Sequence, residues 1–92
     1  MIKINKFKKF TKKFTKTYGE EFGVKWYGSY RGRFSHNGIA VTAESTYGIA
    51  KFVSAMEKNN IDLGSWDQQD QLGYGQIFSW NTSKFNDAKE VA

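Results

Sequence analysis

The sequence contains no cysteine and no proline, and it has a single histidine. Without cysteine the chain forms neither a disulfide bond nor a thiolate metal site. This absence is typical of proteins of a reducing compartment, and we expect the protein to be cytoplasmic. No apolar run approaches the ~18 residues that a transmembrane helix needs. These absences predict a chain with no membrane span, no metal and no cofactor.

Motifs for catalysis are also missing. Neither GxGxxG nor GxxxxGK[ST] occurs, so no phosphate-binding loop is recognisable. His36 has no serine or cysteine at a spacing typical of nucleophilic catalysis. The acids Asp62, Asp67 and Asp70 match no calcium-binding pattern. We therefore expect a binding protein with no catalytic residues, rather than an enzyme.

Positive charge is concentrated at the N-terminus. Residues 1–19 contain seven lysines and no acid, a charge of +7, whereas residues 20–92 contain seven basic and nine acidic residues, a charge of −2. The formal net charge of +5 therefore comes from one segment. A local basic patch is typical of proteins that bind a polyanion.

Segment 6–18 has the periodicity of an amphipathic helix. Aromatic residues recur every third or fourth position and so share one side: they are Phe7, Phe10, Phe14 and Tyr18. Lysines occupy the opposite side: they are Lys6, Lys8, Lys9, Lys12, Lys13 and Lys16. We predict a helix over 6–18, capped by Asn5 and ended by Gly19, with its aromatic rings in the core.

The lysine side of this helix is unusual because no acid interrupts it. Lysines four residues apart, such as Lys8 and Lys12, repel one another by about 0.2–0.5 kcal/mol per pair. An ordinary solvated helix mixes charges of both signs. The uncompensated repulsion favours a surface that binds a negatively charged partner.

The rest of the chain predicts a hairpin, a second helix and a third strand. Alternation over 24–44, interrupted by Asn37-Gly38, is typical of two strands joined by a type I′ turn. Apolar spacing predicts a helix over 46–59, with Ser45 or Thr46 as its N-cap.

The last third of the chain has weaker signals. Residues 61–72 have the composition of a loop, 73–81 predict a strand, and 82–92 predict a frayed helix or a disordered tail. Trp66 in the loop is predicted to fold back onto the core, with an exposed interface residue as the alternative.

These elements follow the order α-β-β-α-β in a single domain covering residues 1–92. The predicted fold class is α+β, with an antiparallel three-stranded sheet and two helices packed on one face. Because side chains alternate between the two faces of a strand, some of the aromatic residues are expected on the face of the sheet that the helices do not cover.

Nucleic acid is the partner that these features favour. Lysine ammonium groups contact phosphates but distinguish bases poorly, so we expect weakly sequence-selective binding of DNA or RNA. Arg31 and Arg33 of the hairpin are predicted to add contacts, and Tyr27 or Tyr30 to stack on an unpaired base. A monomer and a homodimer are both compatible with the sequence.

A protein partner is the alternative. A small basic domain with surface aromatic residues is suited to block an acidic or nucleic-acid-binding surface. Inhibitors encoded by phages or mobile elements act in this way on host defence or nucleic-acid-processing complexes, and their binding survives nuclease treatment. A membrane surface is the least favoured partner, because the core needs the aromatic side of the first helix.

Overall fold

The computed structural model describes residues 2–18, 22–73 and 75–87. Its elements are α1 (Ile4–Tyr18), β1 (Lys25–Arg31), β2 (Asn37–Ala43), α2 (Thr46–Lys58), β3 (Gln68–Leu72) and β4 (Gly75–Asn81). The strands form one antiparallel sheet in the order β1-β2-β4-β3. The small α+β fold is therefore confirmed, with four strands where the sequence predicts three.

The additional strand is β3, which lies inside the segment predicted to be a loop. Its sequence, QQDQL, is polar and poor in strand-forming residues. Among the described residues it pairs with β4 alone, from Gln68 opposite Ser79 to Leu72 opposite Gly75, and so forms an edge of the sheet. An edge strand tolerates polar side chains, and its pairing with β4 supplies the order that its own sequence does not.

The first hairpin turns at a different place from the one predicted. Asn37 and Gly38 lie within β2, and the connection is formed by residues 32–36, where Ser35 has φ 60. A Cβ atom on Gly38 would stand 2.8 Å from the carbonyl oxygen of Trp80 in β4. Gly38 therefore allows β2 and β4 to approach closely and does not form a turn. The prediction of a type I′ turn at Asn37-Gly38 is wrong.

Helix α1 begins at Ile4, and its cap comes from the far end of the chain. The backbone N–H of Ile4 donates to Oδ1 of Asp87 at 2.9 Å, whereas the predicted cap, Asn5, lies inside the helix. A carboxylate here satisfies an otherwise unpaired amide and interacts favourably with the helix dipole. The predicted C-terminal glycine, Gly19, lies outside the described residues.

Helix α2 spans Thr46–Lys58, one residue shorter than predicted. Ser45 is its N-cap, and its Oγ accepts a hydrogen bond from the N–H of Gly48 at 3.1 Å. Among the helices that the structure describes, none has the length and apolarity that a membrane crossing requires.

Both helices pack against the same face of the sheet. The ring of Phe7 in α1 lies edge-on to Trp26 of β1 and Trp80 of β4, with centroids 5.6 and 5.3 Å apart. Phe52 of α2 contacts Phe7 at 5.9 Å, which joins the helices in one aromatic core. Tyr18, predicted to belong to this core, is 45% exposed, so the buried stripe of α1 ends before its last turn.

The segment after β4 is packed, although the sequence predicts a frayed helix or a tail. Phe85 is buried against Phe7, with centroids 5.7 Å apart, and forms a parallel bridge with Ile2. Residues 88–92 lie outside the described part of the chain. Trp66 is half-buried against Phe78 at 5.0 Å, which agrees with the prediction that it folds back onto the core.

Candidate functional site

The solvent side of α1 forms a basic surface, called here the lysine face. Its members are Lys6, Lys8, Lys9, Lys12, Lys13 and Lys16. All are exposed except Lys8, which is half-buried, while Phe7, Thr11 and Phe14 of the same helix are buried. At 1.5 Å of rise per residue, the lysine face extends for about 15 Å along the helix axis.

No carboxylate among the described residues forms an ion pair with the lysine face. Within residues 2–18, 22–73 and 75–87, the ion pairs are Arg33 with Asp70 and Lys84 with Asp67. No described carboxylate therefore lies within 4.0 Å of an ammonium group on α1. The two acids that follow α1 in the sequence, at 20–21, lie outside the described residues.

The predicted aromatic and arginine contacts lie on the other side of the sheet. Ile39 in β2 faces the helices, so its neighbour Gly38 faces away from them. Tyr30 pairs with Gly38 and shares its face. A bulge between Trp26 and Gly28 resets the alternation along β1 and brings Tyr27 to this same face.

Tyr30 links the two edge strands of the sheet. Its hydroxyl donates a hydrogen bond to Oδ2 of Asp70 in β3, although β2 and β4 lie between their strands. Arg33 Nε lies 3.2 Å from the other oxygen of the same carboxylate. The ring of Tyr27, which is 49% exposed, meets that of Tyr30 edge-on at 5.8 Å.

This cluster is suited to holding the sheet together rather than to catalysis. The hydrogen bond to the Asp70 carboxylate, together with burial, raises the pKa of Tyr30 to about 12. A hydroxyl that keeps its proton so strongly is a poor general acid or base near neutral pH. The Asp70 carboxylate also offsets the positive charge of Arg33. This arginine therefore attracts an anionic ligand less strongly than an unpaired arginine would.

The structure therefore divides the predicted site residues into two groups. The six lysines lie together on α1, on the helical side of the sheet. Tyr27, Tyr30 and Arg33 lie on the opposite side, and Arg31 is exposed at the end of β1. A ligand that follows the lysine face does not reach Tyr27, Tyr30 or Arg33, because the sheet lies between them and the lysines.

Two exposed tyrosines were not among the predicted site residues. Tyr18 is 45% exposed and Tyr47 is 62% exposed. Tyr18 lies at the edge of a groove of about 380 Å³ between α1 and α2. The groove is lined by Phe14, Tyr18, Phe22, Lys51, Ser54, Ala55, Glu57 and Lys58.

The sequence contains a local pattern that indicates an exposed position for Tyr47. It stands four residues before Lys51 on one side of α2, and the lysine Nζ lies 5.8 Å from the tyrosine ring centroid. The helical period of α1, by contrast, assigns Tyr18 to the buried stripe. Only the packed structure shows that this ring is exposed.

Neither a metal-ligand cluster among the described residues nor a known relative indicates the function of these side chains. In the part of the chain that the structure describes, no group of three or more histidine, aspartate or glutamate side chains is arranged to hold a metal ion. Comparison of the chain with protein-family models, with curated proteins and with solved structures finds no significant match. Function is therefore inferred from the side chains and their geometry.

Proposed function

We propose that the protein is a cytoplasmic, non-enzymatic module that binds nucleic acid through the lysine face of α1. One observation carries the proposal: six lysines share one side of a helix, and no described carboxylate lies within 4.0 Å of them. The buried aromatic residues on the other side of α1 hold this surface in place. Its positive field is thus available to a ligand.

The dimensions of the lysine face suit a phosphate backbone. One strand of a double helix carries a phosphate per ~3.4 Å of axis, so about 15 Å of helix passes four or five phosphates. Each ammonium group supplies a point charge and releases a condensed counterion when it contacts a phosphate. Such contacts position the ligand without identifying its bases, so sequence selectivity is weak.

The proposed surface is smaller than the set of residues that the sequence predicts. Tyr27, Tyr30 and Arg33 are left out, because they face the opposite side of the sheet and two of them bond to Asp70. Arg31 is exposed in the hairpin and remains a peripheral candidate. The main contribution to affinity is assigned to α1.

Replacing Lys9, Lys12, Lys13 and Lys16 together by glutamine tests this assignment. For wild type we expect a slope of about −4 to −5 in log K against log salt, and a loss of about one unit for each lysine replaced. The quadruple variant should therefore show almost no salt-dependent binding. Fluorescence anisotropy with a labelled mixed-sequence DNA, repeated over a range of salt concentrations, measures the slope.

Lys25→Gln is the matched control. Lys25 is exposed in β1 but pairs with Thr42 on the face turned away from the helices, so its loss should leave the slope unchanged. Circular dichroism establishes that all variants are folded. Wild-type affinity in the quadruple variant would show that another surface binds the ligand.

Absence of wild-type binding to both DNA and RNA at low salt would contradict the proposal itself. The alternative, an inhibitor that blocks a host protein, then becomes the hypothesis to test. A pull-down that survives nuclease treatment and is abolished by the quadruple replacement would identify an acidic protein partner at the same lysines.

A further inference from the structure

A short series of aromatic rings runs from the C-terminal end of α1 to the N-terminal end of α2. The ring centroids of Tyr18 and Phe22 lie 5.3 Å apart, and those of Phe22 and Tyr47 lie 5.5 Å apart. Phe22 is buried, whereas Tyr18 and Tyr47 are 45% and 62% exposed. The buried ring therefore holds two exposed rings at positions no more than about 11 Å apart.

Lysines of α2 lie beside these two tyrosines. Lys51 Nζ lies 5.8 Å from the Tyr47 ring centroid, and Lys51 also lines the groove that Tyr18 borders. Lys58 lines the groove between the helices, where Glu57 is the acid among the lining residues. None of these lysines belongs to an ion pair between described residues. The groove therefore carries its own lysines on α2, separate from the lysine face of α1.

The combination of exposed rings and ammonium groups distinguishes between forms of nucleic acid. In a duplex the faces of the bases are covered by their stacked neighbours, so a protein tyrosine at the backbone has no base to stack on. An unpaired strand offers both a phosphate for the lysine and a base face for the ring. Stacking of this kind accepts any base, in agreement with a lysine surface that selects sequence weakly.

We propose that the nucleic acid bound by α1 is single-stranded, with unpaired bases stacking on Tyr18 and Tyr47 while Lys51 and Lys58 of α2 contact the intervening phosphates. This inference depends on the proposed function and specifies the strand state of the ligand. It also replaces Tyr27 and Tyr30 as the stacking residues by two tyrosines on the same side of the sheet as the lysine face.

The double variant Tyr18→Leu, Tyr47→Ala tests the inference. Leucine keeps an apolar side chain beside Phe14 and Phe22 but removes the flat ring. The probes are a labelled single strand of thymidines and a hairpin duplex with the same number of nucleotides. We expect a loss of affinity of about 10–100-fold for the single strand, since each stacked base contributes about tenfold or more, and less than twofold for the duplex.

Tyr27→Ala is the control, because Tyr27 is 49% exposed but lies on the far face of the sheet. It should leave binding of both probes unchanged. The salt slope of the double variant should equal that of wild type, because no charge is lost. If the double variant does not fold, Tyr47→Ala alone should still lower single-strand affinity by about tenfold.

The results separate this inference from the proposed function. Unchanged single-strand binding, or equal losses for the two probes, would overturn stacking on these tyrosines. If the quadruple lysine variant nevertheless loses binding, the lysine face stands as the site. If wild type binds neither probe, both proposals fail together.

Discussion

At the scale of single residues, one carboxylate organises the face of the sheet opposite the helices. Asp70 accepts a hydrogen bond from the hydroxyl of Tyr30, and its other carboxylate oxygen lies 3.2 Å from Arg33 Nε. The strands of Tyr30 and Asp70 are separated by β2 and β4, where Gly38, Ala40 and Ser79 are small residues on the same face of the sheet. The side chain of Arg33 remains 81% exposed, whereas Tyr30 is half-buried. The hydrogen bond from Tyr30 to Asp70 is therefore less exposed to solvent than the ion pair between Arg33 and Asp70.

Tyr30→Phe should change how the protein responds to alkaline pH. The pKa of Tyr30 is raised to about 12, whereas an unfolded tyrosine titrates near pH 10. Its contribution to stability is therefore complete below about pH 10 and is lost as the pH rises through about 12. The free energy of unfolding, measured with urea, should fall more steeply over this range in wild type than in Tyr30→Phe.

Tyr27→Phe is the control, because it removes a tyrosine from the same face but leaves the bond to Asp70 intact. Tyrosinate absorbance in the near ultraviolet should show a late titration step in wild type and in this control, and not in Tyr30→Phe. Titration of every tyrosine together near pH 10 would show that the hydrogen bond to Asp70 does not form.

At the scale of elements, the N-terminus of α2 is fitted closely to the segment that precedes β1. A Cβ atom on Gly48 would lie 2.3 Å from the carbonyl oxygen of Phe22 and 3.2 Å from its Cβ. Gly48 therefore allows Phe22 to pack beside Tyr47, and this contact positions the rings proposed to stack on bases.

Gly48→Ala should destabilise the protein, although alanine is a better helix former by about 1 kcal/mol. The added methyl group forces a backbone carbonyl to move, and overpacking of this kind costs about 1–3 kcal/mol. Urea denaturation measures the free energy of unfolding. Ser54→Ala, at an exposed position of α2, should leave it unchanged or slightly raised, and a stabilised Gly48→Ala would contradict the close contact.

The elements also show which local patterns predict structure. The apolar period of α1 and α2 predicts both helices, and Ser45 predicts the cap of α2. The same reasoning fails for β3, whose polar sequence becomes a strand by pairing with β4. It also fails for Gly38, because a glycine needed for close approach has the same sequence signature as a glycine needed for a turn.

At the scale of the whole molecule, the two ends of the described chain meet at the start of α1. Ile2 forms a bridge with Phe85, and the N–H of Asn86 donates to the carbonyl oxygen of Ile2 at 2.9 Å. Asp87 then caps α1 through Ile4. The lysine face thus depends for its position on residues at the opposite end of the sequence.

Phe85→Ala should lower the free energy of unfolding by about 3–5 kcal/mol, as loss of a buried ring does. A domain of this size has about 5–14 kcal/mol in total, so the variant should melt at a much lower temperature. Thermal unfolding followed by circular dichroism measures the change. Ser83→Ala, exposed in the same segment, is the control, and equal melting of the two variants would show that the segment is not packed.

Much of this protein follows from its local sequence: both helices, the concentration of lysines on α1 and the missing catalytic motifs. These properties depend on residues within a few positions of one another, so periodicity and charge reveal them. The fourth strand, the cap from Asp87, the separation of Tyr30 from the lysine face and the meeting of Tyr18 with Tyr47 through Phe22 depend on packing. Contacts between residues far apart in the chain leave no periodic trace, and they exist only once the helices and sheet are assembled.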